Sequence, residues 1–383
     1  MRTQRTQDGN RARTKITRGP RRRPRGASDD LDPSGLSPMQ ILSTVCGLFC
    51  KGKTASEIVQ IMKTDHNVIM SREKPYQYIS QAASKGWIHF DAPRDHEIRE
   101  KLEDSYPWLK GNVEVVHTAI LDDVARRAAK MLLGLICQHH QKNPQRNEVH
   151  VGISGGYSIR RLGQALGDLL QTATAQLPRQ IYFHGLVTGA HFEPLAEPVA
   201  IFPYIDREER AAVQTNFVAL QAPAIVHKEA IEGLMDLEPT REAHERVKEI
   251  DIFVTSGALW EHEHSVLWRY MTQSPQSVKV LEAAGVVADL LWQPIGPKGP
   301  IEEETDIRAL TLVELRELTE FIHQGKSVLL LLGPCARCHQ SKALILQTLL
   351  DLDPAHRLIS HVVTDSLAAA MVTKEVERRR MSR

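Results

Sequence analysis

The chain has 383 residues, of which 42% are hydrophobic and 25% charged, with a formal net charge of +1. This composition is ordinary for a globular protein and excludes a wholly disordered or membranous chain, while the length allows roughly two or three domains. The longest apolar runs, 131–137 and 327–332, fall short of the roughly 18 residues that suggest a membrane span. The N-terminus lacks the apolar stretch of a secretory signal, so a cytoplasmic location is expected. Five irregularly spaced cysteines make no disulfide framework.

Residues 1–26 hold ten Lys/Arg, including Arg21-Arg22-Arg23, against one acid, Asp8, so the remainder is acidic overall. An arm of this kind, spanning 1–36, either binds DNA phosphates by counterion release or is a solubilising tail. Folded structure is expected from Pro38, where Ile41, Leu42, Val45, Leu48 and Phe49 recur at helical spacing and Lys51-Gly52-Lys53 closes the helix. Thr54-Ala55-Ser56-Glu57 has the form of a capping box, with Ile58, Ile61 and Met62 as the buried side of the helix it opens. Ser71 is expected to cap a third helix in which Tyr76, Ile79 and Ala83 share a face, ending at Gly86, with a strand or wing at 87–90.

Three short helices in this order, over 37–92, read as a winged helix-turn-helix, or as a small helical cap without a nucleic-acid role. In the first reading Ser71, Arg72, Lys74, Gln77 and Gln81 reach phosphates or base edges, with Arg72 and Gln77 the candidates for base contact. The turn 63–70 is longer than the roughly 3–4 residues usual in that motif.

Residues 93–112 read as a charged linker helix ending at Pro107 and Gly111. Strands are then expected at 113–117, 148–153, 181–186, 198–202, 224–226, 250–254, 285–290, 328–332 and 358–363, and helices at 121–140, 158–172, 241–248, 311–323, 341–350 and 367–376. Alternation of this kind argues for an α/β domain over 113–376, its mostly parallel sheet covered on both faces, followed by a basic tail at 377–383.

Within that domain Val149-His150-Val151-Gly152-Ile153-Ser154-Gly155-Gly156-Tyr157-Ser158 is a strand running through a small-residue turn into a helix. Such a turn directs backbone N–H groups and the helix dipole at an anion, with Ser154 and Ser158 as further donors, although a simple tight turn has the same sequence. It is neither a P-loop nor the dinucleotide fingerprint.

Five stretches in order carry a resemblance: 151–159, Leu220-Gln221-Ala222-Pro223-Ala224-Ile225-Val226, 249–257 with Asp251, Ala283-Ala284-Gly285-Val286-Val287-Ala288-Asp289, and 361–368 with Thr364 and Asp365. From about 113 to 376 the chain resembles the sugar-binding effector domain of the SorC family of transcriptional regulators, which carry a helix-turn-helix ahead of it. The resemblance implies a fold related to phosphosugar isomerases and CoA transferases, with a sugar or phosphosugar effector at the carboxyl ends of the parallel strands and binding to DNA as a dimer or tetramer. It implies neither a catalytic residue nor a cofactor. Carried over by position, Ser154, Gly155, Gly156 and Ser158 cradle a phosphate or sugar hydroxyls. Asp251 accepts from sugar hydroxyls, Lys342 neutralises a phosphate, and Thr364 and Asp365 stand at a matching strand end. For Asp251 and Asp365 a helix cap or turn role is the alternative.

The chain departs from that pattern at Gly333-Pro334-Cys335-Ala336-Arg337-Cys338-His339-Gln340-Ser341-Lys342, several residues longer than the family's turn, where Arg337 is a further candidate for the anion. The Cys-x-x-Cys-His within it matches haem attachment, which requires export and is set aside. A redox pair, or two plain surface thiols, fits Cys335 and Cys338, while zinc lacks an obvious fourth ligand beyond these and His339. Glu261-His262-Glu263-His264 misses the zinc-protease spacing and reads as a polar loop over the ligand cleft. His139-His140 suits a helix C-terminus. Two rival functions stand beside the regulator. One is an isomerase- or deaminase-like enzyme with Asp251 or Glu261 as base, and the other is a degenerate, effector-insensitive regulator or interaction module.

Overall fold

The computed structural model describes residues 35–85, 88, 91–172, 176–189, 192–206 and 213–382. The basic arm at 1–34 and most of the expected wing at 87–90 lie outside them. The chain divides into two compact units, Met1–Phe90 and Asp91–Arg383.

The first unit contains three helices, α1 (Pro38–Cys50), α2 (Ala55–Asp65) and α3 (Lys74–Ser84). Ser37 and Gln40 close a capping box at the start of α1, and Thr54 and Glu57 close another at α2, so free amide donors at both N-termini are satisfied. Ile41, Val45, Ile58, Met62 and Val68 form the core, with Leu42, Cys46 and Ala82 beside it. The long α2–α3 turn is packed: Val68 is 3% exposed, its amide bonds the Met62 carbonyl, and the preceding Asn67 takes a left-handed φ of 53°.

Two sequence expectations for α3 need correction. Glu73, not Ser71, is the N-cap, and it makes no side-chain cap bond. The inward face is also rotated by one position. Pro75 and Ala82 are buried with Tyr78 and Ile79 half-buried, whereas Tyr76 is 59% exposed and Ala83 is exposed. A helix that starts at Lys74 takes its inward period from Pro75, and the period of 3.6 then selects 78, 79 and 82.

In the second unit the strands are β1 (Val113–Val116), β2 (Glu148–Ile153), β3 (Gln180–Gly185), β4 (Gln214–Val218), β5 (Ile225–His227), β6 (Ile252–Thr255), β7 (Gly257–Leu259), β8 (Ala288–Leu290), β9 (Gln293–Gly296), β10 (Gly299–Pro300), β11 (Ile307–Ala309), β12 (Ser327–Leu332) and β13 (His361–Asp365). The helices are α4 (His96–Ser105), α5 (Leu121–Lys142), α6 (Tyr157–Thr172), α7 (Pro198–Ile205), α8 (Ile231–Met235), α9 (Glu238–Glu245), α10 (Val266–Met271), α11 (Pro275–Ala283), α12 (Leu315–His323), α13 (Ala343–Leu350) and α14 (Ser366–Met381). Among the described residues, seven strands form one parallel sheet in the order β1-β13-β12-β6-β2-β3-β4.

Both faces of this sheet are covered, which is why its interior strand Ser327–Leu332 is apolar nearly throughout and buried at every position. Leu329 and Leu331 pack with Val151, Ile153 and the inward faces of α5 and α6, while Val328, Leu330 and Leu332 pack on the other side with α12, α13 and α14.

The helix read as a linker belongs to this core. In α4 Leu102 is fully buried, followed by Leu109 and by Tyr106, whose hydroxyl donates to Asp351 at 2.7 Å. The expected tail at 377–383 largely continues α14, with Arg378 and Arg379 bonding Glu375 and Arg379 also bonding Asp351.

The expected strand 198–202 is helix α7: its run Pro-Val-Ala-Ile-Phe is apolar all round, so no period shows, and Pro198 at the first position suits a helix start. The stretches at 224–226 and 285–290 enter separate antiparallel sheets, β5 with β11 and β8 with β7 and β9. Short apolar runs do not distinguish these pairings. Strand β4, Gln-Thr-Asn-Phe-Val, is too polar to show as a buried strand.

Candidate functional site

The order of the parallel sheet reverses between β2 and β6: β3 and β4 extend from β2 one way, β6, β12 and β13 the other. A crevice opens at the carboxyl ends of strands at such a switch point, the usual ligand position in open α/β sheets. Here the chain leaves β2 through Ser154-Gly155-Gly156 into α6, and leaves β6 through Ser256 into Gly257. Gly156 has φ +111°, and its amide donates to the Ala196 carbonyl at 2.7 Å. A Cβ on Gly155 would meet that same carbonyl oxygen at 2.9 Å and Trp292 Cζ2 at 3.0 Å, so a side chain here needs the backbone to move.

Gly155, Gly156, Ser158 and Gly257 line a cleft of about 90 Å³ together with Tyr157, Glu193, His264, Asp289, Trp292, Cys335, Arg337 and Lys342. The cleft lies well below the roughly 300–1,000 Å³ of pockets that enclose drug-sized ligands. Trp292 is placed by the β8–β9 hairpin, whose turn residues Leu291 and Trp292 both adopt left-handed φ values, 54° and 59°. Such φ values fit a primed hairpin turn, but carry strain in residues other than glycine.

The charged groups of the cleft are tied to one another. Lys342 donates to the Gly257 carbonyl at 2.8 Å, and burial pushes its ammonium below the ordinary lysine range. Burial likewise pushes Asp289 up to about 7, against the opposing pull of a Ser265 hydroxyl bond at 3.0 Å and the charge of Lys342. At the mouth Arg337 donates to Tyr157 Oη at 2.8 Å and to Glu193, while Arg269 donates to the same carboxylate at 3.1 Å. An anion entering the cleft therefore meets a buried ammonium, a guanidinium already shared with a carboxylate, and the N-terminus of the four-turn helix α6.

Of the residues expected from sequence, Gly155, Gly156, Ser158, Lys342 and Arg337 come together here. Ser154 lies behind the turn, 2% exposed, and does not line the cleft. Thr364 and Asp365 do end β13, but Asp365 caps α14, accepting from the Ala368 amide at 2.9 Å, and neither lines the cleft.

Asp251 is a correction. It precedes β6 at the amino end of the sheet, where its carboxylate accepts from Arg146 at 2.7 Å and from the His150 amide at 2.9 Å. The apolar run that identifies β6 follows this acid, so Asp251 stands one strand length from the carboxyl end. Tyr157, Glu193, Asp289 and Trp292 were not singled out from the sequence. For Asp289 the signal was present as an acid inside the apolar stretch 285–290.

On the adjoining wall, the two motifs treated separately in the sequence meet. His262 Nε2 lies 3.2 Å from Cys338 Sγ, His264 Nδ1 lies 3.7 Å from Cys335 Sγ, and one ligand atom from each of the four falls within 4.8 Å of the others. A larger groove of about 570 Å³ elsewhere in the unit is lined by Glu314, Glu317 and Glu320, with its Arg308 already bonded to Glu314. Those acids oppose an anionic ligand.

The architecture is an α/β fold with its cleft at the switch point of a parallel sheet. No family model matches the chain, and no curated protein matches it either. Solved structures do. The full-length sorbitol operon regulator SorC from Klebsiella pneumoniae is similar with a TM-score of 0.63 at 14% identity, over 88% of this chain and 99% of that one. A transcriptional regulator from Streptococcus pneumoniae TIGR4 is similar with a TM-score of 0.54 at 15% identity, over 73% of this chain and 97% of that one. A DeoR family transcriptional regulator from Listeria monocytogenes gives 0.51 at 19% identity, over 72% and 98%. The chain thus shares the fold of these regulators.

Proposed function

We propose that this protein is a cytoplasmic DNA-binding transcriptional regulator, acting as a symmetric oligomer, whose α/β unit binds a small phosphorylated or otherwise anionic sugar-like metabolite that changes its hold on DNA. The observation that carries this reading is the convergence of the Gly155-Gly156-Ser158 turn, Lys342 and Arg337 at the switch point of the sheet. The fold likeness to a full-length sorbitol operon regulator over 88% of the chain supports it. In the first unit Ser71, Arg72, Gln77 and Gln81 are exposed at and along α3, as a helix reading DNA requires, and Tyr76 stands with them. Lys74 is less free, since its ammonium bonds Gln77 at 3.2 Å and lies over the Tyr78 ring.

The enzyme reading loses its best base, because Asp251 is occupied by Arg146 at the far end of the sheet. Glu261, the other candidate, is exposed and does not line the cleft. A binding module needs neither. Coupling to DNA requires only that the ligand prefer one of two conformational or oligomeric states.

The test is fluorescence-anisotropy titration of the DNA upstream of the protein's own gene against a scrambled duplex at physiological salt, with the whole chain and with residues 1–35 removed. Preference for the natural duplex that survives removal of the arm supports the regulator. Equal, arm-dependent binding to both duplexes reduces the DNA contact to phosphate electrostatics and overturns it.

A further inference from the structure

Cys335 and Cys338 stand on the loop between β12 and α13, and His262 and His264 on the loop between β7 and α10. Seventy or more residues of sequence separate the two pairs, yet the fold sets a thiol beside each imidazole, at 3.2 and 3.7 Å. Four donors on a tetrahedron, with metal–sulfur bonds of about 2.3 Å and metal–nitrogen bonds of about 2.0–2.1 Å, lie roughly 3.5 Å from their neighbours. The two separations bracket that value, and all four donor atoms fall within 4.8 Å of one another.

From this geometry we infer that His262, His264, Cys335 and Cys338 form a four-ligand site for one zinc ion. The donor set is selective: two thiolates with two imidazoles suit zinc and give magnesium or calcium, which demand oxygen, nothing to hold. Four protein ligands leave no open position, which makes the site structural rather than catalytic.

The surrounding loop has the form such a site needs. The Cys335 amide donates to the Gln340 carbonyl at 2.9 Å and the His339 amide to the Cys335 carbonyl at 3.0 Å, folding 335–340 into a closed turn with His339 at φ 59°.

Loading the site balances as follows. The two thiols give their protons to solvent as two metal–sulfur bonds form, and each imidazole binds through a neutral nitrogen. At His262 the His264 amide lies 3.2 Å from Nδ1, so binding at Nε2 moves the ring proton to Nδ1 and gives up that contact.

The extra length of the 333–342 loop then has a purpose, because it supplies two ligands and ties the loop bearing Arg337 to the loop bearing His264. Both loops line the cleft. The metal site does not rest on the proposed regulatory function: a chain that binds neither DNA nor sugar phosphate still binds the ion.

The test uses the full chain, freed of metal by a chelator and kept reduced, titrated with cobalt(II) and then with zinc(II). One cobalt per chain is expected, with the intense visible bands of tetrahedral cobalt and a near-ultraviolet thiolate charge-transfer band, both abolished by one equivalent of zinc. Cys338→Ser and His262→Asn are expected to weaken binding by more than about a hundredfold, beyond the effect of losing a supporting hydrogen bond. Cys50→Ser leaves it unchanged. Cys338 is exposed, so its variant is expected to fold, and circular dichroism checks this. No cobalt uptake by the reduced chain, a weak octahedral spectrum, or full binding by folded Cys338→Ser overturns the proposal. So does a Cys335–Cys338 disulfide that re-forms under reductant and excludes the metal.

Discussion

Arg337 donates to both carboxylate oxygens of Glu193, at 2.9 and 3.0 Å, across the mouth of the cleft. Tyr157 joins the pair by donating to Glu193 at 2.7 Å. A phosphate entering the cleft competes with this carboxylate for the guanidinium. Glu193→Gln removes the competing charge, and an ion pair of about 1 kcal/mol, exposed on its arginine side, implies roughly fivefold tighter phosphate binding. Arg337→Ala is expected to weaken binding. Calorimetric titration with inorganic phosphate measures both, and weaker binding by Glu193→Gln would show that the carboxylate supports the site rather than guarding it.

Lys342 carries the second prediction. Its ammonium reaches the Gly257 carbonyl between the two strand ends, where an anion would sit. Hydrogen bonds to charged groups contribute about 1.5–3 kcal/mol, so Lys342→Met, similar in shape, should lose roughly ten- to a hundredfold in affinity for sugar phosphates. Ligand-induced thermal shift reports the loss. Undiminished stabilisation by the ligand would place the anion elsewhere.

The extent of the second unit gives a stability prediction. Leu102 of α4 is fully buried against the main core, so Leu102→Ala should destabilise the unit by about 2–5 kcal/mol in urea denaturation. A solvent-exposed linker helix would change by no more than about 0.5 kcal/mol, as surface substitutions do.

Much of this was legible in the sequence, and the misses share a cause. Apolar runs such as Ser327–Leu332 and turns such as Gly155-Gly156 are local signals, and they identified the parallel sheet and a turn that lines the cleft. Asp251 was misplaced because its role was carried over by position from the resemblance, although the apolar run 252–255 follows this acid and puts it at the amino end of its strand. The α4 helix was misread because its six charged residues outnumber Ile98 and Leu102, which pack it against the core. Glu193 comes from a loop far from the Gly-rich turn, and the pairing of His262 and His264 with Cys335 and Cys338 joins two loops that only the tertiary fold brings together.

The buried histidines predict acid sensitivity. His184, fully buried and 2.9 Å from His150, is held down to about 3 by burial, and His361 is held down to about 4 for the same reason. Both stay neutral in the fold, whereas an unfolded histidine titrates near about 6.5. Below that value the unfolded chain binds more protons, so this stabilisation is complete above about pH 6.5 and is lost as pH falls towards the folded values. Asp289 acts in the opposite sense. Raised to about 7, its contribution is present below the unfolded aspartate value and lost as pH rises through about 7. The urea midpoint should therefore fall from about pH 7 to about pH 5, and fall more steeply in Asp289→Asn, where the opposing group is gone. A midpoint that rises on acidification contradicts this assignment of protons.

The most direct test of ligand-controlled DNA binding is anisotropy of the complex between the whole chain and its natural upstream duplex, titrated with a panel of sugar phosphates and their unphosphorylated sugars. The expected result is that one phosphorylated sugar changes the DNA affinity at least about tenfold, a coupling of ordinary allosteric size, and that Lys342→Met keeps DNA binding but loses the response. A response that persists in Lys342→Met, or a specific complex indifferent to every member of the panel, would contradict the placement of a regulatory ligand in this cleft.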